Sequence, residues 1–111
     1  MKTIPKTETE LRDTELHDKI NRETGRIAWS ELERHFAQGN VIYVSGQLDL
    51  IDVAVRISQD DKEQIAGWMR EGKIAKVSDV QAQTWSASGA ALWAAVVHPF
   101  ILVQPEKKQL H

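Results

Sequence analysis

The stretch from Ala91 to Pro105, ALWAAVVHPFILVQP, constrains this chain more than any other part of it. Its unbroken apolar portion, Ala90 to Val97, has 8 residues, and His98 and Pro99 then interrupt it. A helix that crosses a bilayer needs about 20, so the stretch is too short for one. Counted by twos, Trp93, Ala95, Val97, Ile101 and Val103 fall on one side, and Leu92, Ala94, Val96, Phe100 and Leu102 on the other. Both sides are apolar, the pattern of a strand covered on both faces. Pro99 has no N–H to give a ladder, so it marks a kink, a bulge or a face without a neighbour. Two strand segments are expected, about 92–97 and 100–104, joined at His98-Pro99.

A strand covered on both faces requires a sheet with helices on it, and the rest of the chain supplies them. Residues 9–23 read as a helix with few apolar positions, Leu11, Leu16 and Ile20, ended by Gly25. A second, short helix spans about 30–38, where Trp29, Leu32 and Phe36 share one face. Capping boxes are expected at Thr7 with Glu10, Ser30 with Glu33, Asp60 with Glu63 and Ser78 with Gln81. The run VIYVS, Val41 to Ser45, reads as a buried strand and KIAKV as a short one. The helix opened at Asp60 should turn Ile65, Trp68 and Met69 inward and close at Gly72, and the helix over 79–88 should turn Trp85 inward.

LDLIDVAVRIS fits two periods. Ile51, Val53, Val55 and Ile57 alternate as in a strand, while Leu50, Val53, Ala54 and Ile57 make a helical face that Asp49 could cap. We read it as a helix. The expected architecture is α+β, with an α/β-like arrangement: one small domain over 9–104, a short mixed sheet of about three strands, and four to five helices. Residues 1–8 and 105–111 are expected to be flexible ends.

Composition narrows the activities. The 111 residues carry 41% apolar and 27% charged side chains, the balance of a soluble globular domain. There is no cysteine, which removes disulfides, thiolate zinc sites and cysteine nucleophiles and suits a reducing, cytoplasmic setting. Net charge is −2, and the acids and bases are evenly mixed along the chain. That is no footprint for phosphate backbones, so nucleic acid is not an expected partner.

Four segments, TGRIAWSELERHFAQG, LDLIDVAVRISQDD, WMREGKIAKVSD and LWAAVVHPFILVQP, resemble in order and spacing a bacterial domain-of-unknown-function family of small proteins, the one numbered 2288. The likeness covers about Leu11 to Gln104. It implies a bacterial, cytoplasmic protein with no assigned activity, and it offers no catalytic residue to carry over. It also implies a helix after the Asp49-Leu50 pair and tolerance of other residues at the His98 position.

No catalytic constellation emerges from the residues themselves, and no cofactor is expected. Asp49 and Asp52 could chelate a cation or work as an acid–base pair on one helix face, but helix capping explains both. No two of the four histidines stand at ligand spacing. Ser45-Gly46-Gln47 lacks a phosphate-binding glycine pattern. The binding candidates are Trp29, Tyr43, Trp93 and His98, the last at a strand break where a pocket mouth can form. The function expected first is a non-catalytic interaction or regulatory module, with a protein partner or a second copy. A small-ligand binder with a pocket near Trp93, His98 and Tyr43 comes next, and a metal-assisted enzyme using Asp49, Asp52 and His98 last. No membrane association is expected.

Overall fold

The computed structural model describes residues 8–105, with side chains from residue 14 onward. The box expected at Thr7 and Glu10 and the ends expected to be flexible lie outside these, apart from Glu8 and Pro105.

Five helices and five strands form one α+β domain: α1 Glu8–Glu23, β1 Gly25–Ala28, α2 Trp29–Ala37, β2 Val41–Val44, α3 Leu50–Ser58, α4 Lys62–Arg70, β3 Ile74–Lys76, α5 Asp79–Ser88, β4 Ala91–Val97 and β5 Phe100–Gln104. The sheet has five strands in the order β1-β4-β5-β2-β3, not about three. β2 and β5 run parallel at its centre, and the other neighbours are antiparallel. β1 was not expected as a strand. It has only four residues, and its extended form comes from pairing with Ala91–Ala94 of β4, a partner remote in sequence.

β4 and β5 form a tight hairpin whose turn is His98-Pro99, with Val97 opposite Phe100. The His98-Pro99 peptide is cis. Opposed residues share a face, so the count by twos does not continue across the turn. Ala95, Val97, Phe100 and Leu102 lie on one face with Ile42, Val44 and Ile74, while Leu92, Ala94, Ile101 and Val103 lie on the other with Val41 and Tyr43.

Each face has its own core. On the first, Ile20 of α1, Leu50, Val53 and Ala54 of α3, and Trp68 of α4 are buried against the sheet. On the second, Trp29 and Leu32 of α2 and Ala82 and Trp85 of α5 are buried. Two residues of β4 escape. Val96 is 49% exposed, because β1 pairs only with residues 91–94 and leaves that end of β4 at the edge. Trp93 is 38% exposed, and the Arg26 guanidinium lies over its ring, 5.8 Å from the centroid.

The helix reading of LDLIDVAVRIS holds. Asp49 caps α3 by accepting from the N–H groups of Ile51 (2.9 Å) and Asp52 (3.2 Å). Ser78 and Gln81 form the expected box at α5, with bonds of 3.1 and 3.0 Å. The other two described boxes do not form. β1 runs straight into α2, so Ala28 occupies the cap position and Ser30 is already helical. The Trp29 N–H instead donates to the Ala90 carbonyl oxygen, 2.9 Å away. At α4 the cap is Asp61, which accepts from the Gln64 N–H. Asp60 is occupied in ending α3: it adopts a left-handed φ of 56° and donates its N–H to the Ile57 carbonyl oxygen. Met69, expected to face inward, is 60% exposed, because α4 buries a narrow arc centred on Trp68.

Candidate functional site

An apolar cleft of about 440 Å³ opens at the end of the sheet where the β4–β5 hairpin turns. Ile42, Ile74, Val97 and Phe100 form its floor, one residue from each of the four strands β2, β3, β4 and β5. Its wall is the last turn of α3, Ile57 and Ser58, together with Ile65 and Met69 of α4. Ala75 and three more polar residues, Asp60, Lys76 and His98, complete the lining.

The sequence builds this opening in steps. Asp49 starts α3 and the left-handed Asp60 stops it, which fixes where Ile57 ends the roof. Asp61 then restarts the chain as α4, leaning Ile65 and Met69 over the floor. The tight hairpin carries Phe100 and His98 to the open end. α4 returns through Gly72, whose φ of 71° is a left-handed conformation that glycine adopts without strain, into β3.

Lys76 is on the unusual side of its strand. In β3 the residues Ile74 and Lys76 point to the same face by the two-residue period. Lys76 is paired across the ladder with Ile42, itself part of the cleft floor. A cation therefore projects over the apolar face. Its neighbours are otherwise matched: Lys73 pairs with Glu71 at 3.3 Å and Lys62 with Asp60 at 3.8 Å. Among the described residues no acid stands within ion-pairing distance of Lys76.

A second crevice of about 500 Å³ lies between α1 and β4, lined by Leu16, Lys19, Ile20 and Glu23. It shares Ser58, Val97 and His98 with the first, so His98 stands between the two. Between α1 and α3 a shallower recess of about 280 Å³ holds His17, Asp18, Asp52 and Arg56.

Of the four binding candidates read from the sequence, His98 lines the cleft. Tyr43 packs on the opposite face of the sheet, since it follows Ile42 in the same strand. Trp93 shares a face with Val97 but lies four residues along β4, about 13 Å away. Trp29 is 2% exposed and wedged edge-on against Trp85, with ring centroids 5.2 Å apart. The structure does not bring these four side chains together.

Nor does it gather the metal candidates. The Asp49 carboxylate is engaged by two backbone N–H groups, and Asp52 lies 3.9 Å from Arg56. Asp49 sits at the far end of α3 from Ile57, about 12 Å from the cleft. Among the described residues no group of three or more His, Cys, Asp or Glu converges on one point. Among them, too, no helix is long and apolar enough to cross a membrane.

Sequence reading alone passed over Ile42, Ile57, Ile65, Ile74, Phe100 and Lys76 as site residues. Five of them are ordinary core types: Ile74 is buried, and Ile42, Ile57, Ile65 and Phe100 are left partly exposed where α3 stops. Lys76 did leave a signal: a lysine two residues from a buried isoleucine within a strand.

Fold and site together define a small α+β domain with a mixed five-stranded sheet and an open, mainly apolar cleft. The chain belongs to the family described as "Protein of unknown function (DUF2288)", whose family model matches residues 15–105. It is similar over its whole length to PA1075 from Pseudomonas aeruginosa, a structure determined by NMR in solution. The two share 34% identity, with a TM-score of 0.76 and 100% of this chain and 99% of that one covered. No curated protein matches the chain.

Proposed function

We propose that the protein is a non-catalytic binding module that holds a small, largely apolar ligand in the cleft beneath the His98-Pro99 turn. The observation that carries this reading is the cleft itself. Its volume of about 440 Å³ falls within the range of about 300–1,000 Å³ of small-molecule sites, which are concave, mainly apolar and edged by a few polar groups. The separation of Asp49 and Asp52 from His98 supports binding over acid–base chemistry. The cysteine-free composition and the bacterial source of the solved relative support a bacterial cytoplasmic setting.

The test is thermal melting with 1-decanol and with indole, on the wild type and on Met69→Glu. Met69 is 60% exposed at the cleft, so a charge there should spoil binding without unfolding the domain. Ligand at ten times its Kd stabilises by about 1.4 kcal/mol, a rise of about 6 °C for a domain near 100 residues. A wild-type melting temperature unmoved by either compound overturns the reading.

A second reading, interaction with a protein partner or a second copy, is favoured by Trp93. This tryptophan is 38% exposed with Arg26 over its ring, and Trp and Arg are the residues most enriched among binding hot spots. Sedimentation across a wide concentration range on the wild type and Trp93→Ala tests self-association.

A further inference from the structure

We infer that the ligand of the cleft is an anionic amphiphile, an alkyl chain ending in a carboxylate, with the carboxylate on Lys76 and the chain across the sheet toward Val97 and His98. The inference rests on the cleft being a binding site and adds the chemistry of its occupant.

The floor has a direction. Lys76 is on β3, the edge strand, and Val97 is on β4, three strand spacings away in the order β4-β5-β2-β3, or about 14 Å. Between them lie Ile42 and Phe100, and Ile65 and Met69 stand over them. A long narrow strip of apolar surface suits an extended chain better than a compact ring system.

The charge sits at one end of that strip. The Lys76 ammonium has three N–H donors and no acceptor, and no ion pair or hydrogen bond answers it among the described residues. A solvated lysine is unremarkable, but this one stands over the apolar side of its strand, in line with Ile74 and Ile42. The Nζ atom lies at the rim, beside the turn that follows α2: a Cβ placed on Gly39 would stand 3.8 Å from it. The acid on the rim, Asp60, is matched by Lys62 at 3.8 Å. Among the described residues the cleft therefore presents an unmatched cation at Lys76, and complementarity calls for an anion joined to an apolar body.

The experiment is calorimetric titration, below their micelle concentrations, of decanoate, 1-decanol and decyltrimethylammonium into the wild type, Lys76→Gln and Lys76→Arg. The expected order for the wild type is decanoate, then decanol, then the cation. Lys76→Gln should weaken decanoate about fivefold, the scale of an exposed ion pair, and leave decanol unchanged, while Lys76→Arg retains decanoate. Added salt should weaken decanoate in the wild type and not in Lys76→Gln. If decanol binds as tightly as decanoate, or if Lys76→Gln leaves decanoate untouched, the anionic ligand is overturned and the apolar cleft stands. If none of the three binds, both fall together.

Discussion

The side-chain amide of Gln104 donates a 2.7 Å hydrogen bond to the carbonyl oxygen of Leu48, and a second, of 2.8 Å, reaches the carbonyl oxygen of Ser45. Gln104 is 2% exposed, the one buried polar side chain among the described residues. It ties the end of β5 to the loop that delivers Asp49 to the start of α3, the helix whose other end roofs the cleft. Replacing it with leucine leaves the Leu48 carbonyl oxygen without this donor and the Ser45 carbonyl oxygen with the Leu48 N–H, 3.0 Å away. Gln104→Leu should lower stability by about 1–3 kcal/mol, read by urea denaturation. A variant as stable as the wild type would mean that the loop finds other partners.

The tryptophans should separate sharply. Trp29 is buried against Trp85 and Phe36, so Trp29→Ala should cost about 3–5 kcal/mol. Trp93 is 38% exposed, with Arg26 over its ring, so Trp93→Ala should cost about 1 kcal/mol or less. Equal losses from the two substitutions would contradict the two-core arrangement.

The helix caps give a finer comparison. Ser78 accepts the Gln81 N–H and should lose about 1 kcal/mol on replacement by alanine. Asp49→Ala should lose a similar amount. Ser30 has the same sequence signature but lies inside α2, where alanine is the better helix former. Ser30→Ala should therefore be neutral or stabilising, by at most about 0.5 kcal/mol. Denaturation midpoints of the three variants check this, and a loss at Ser30 equal to that at Ser78 would contradict the observed helix start.

Asp60 is the non-glycine residue held at positive φ among the described residues, and its carboxylate forms only an exposed pair with Lys62. Asp60→Gly should relieve the left-handed conformation and raise stability by about 0.5–1 kcal/mol. Asp60→Val, branched at Cβ, should lower it. If the glycine variant also binds cleft ligands less well, the rim position of Asp60 contributes to binding as well as to the turn.

How far the sequence carried can be judged from particular residues. The break into two strand segments was legible because Val97 and Phe100 flank His98 and a proline that no ladder can absorb, but the tight reversal that pairs them was not. α3 was legible through Asp49, whose side chain does what its position suggested. β1 was not, because Gly25–Ala28 acquires its extended form from β4. The start of α2 misled because local chemistry at Ser30 yields to the burial of Trp29, whose N–H finds Ala90 instead. The cleft was only partly legible. His98 at a strand break pointed to a pocket mouth, but Ile42, Ile65 and Phe100 are ordinary core residues until α3 stops short at Ser58. That stop is a tertiary fact, written in the conformation of Asp60.

The central claim is that the cleft is where this protein binds, and methyl NMR tests it most directly. Isoleucine and methionine methyl spectra should be recorded during titration with 1-decanol. Shifts should concentrate at Ile57, Ile65, Ile74 and Met69, saturating together, while Ile20 and Ile27 stay in place. Shifts spread evenly over all methyls, or none up to the solubility limit, would contradict it.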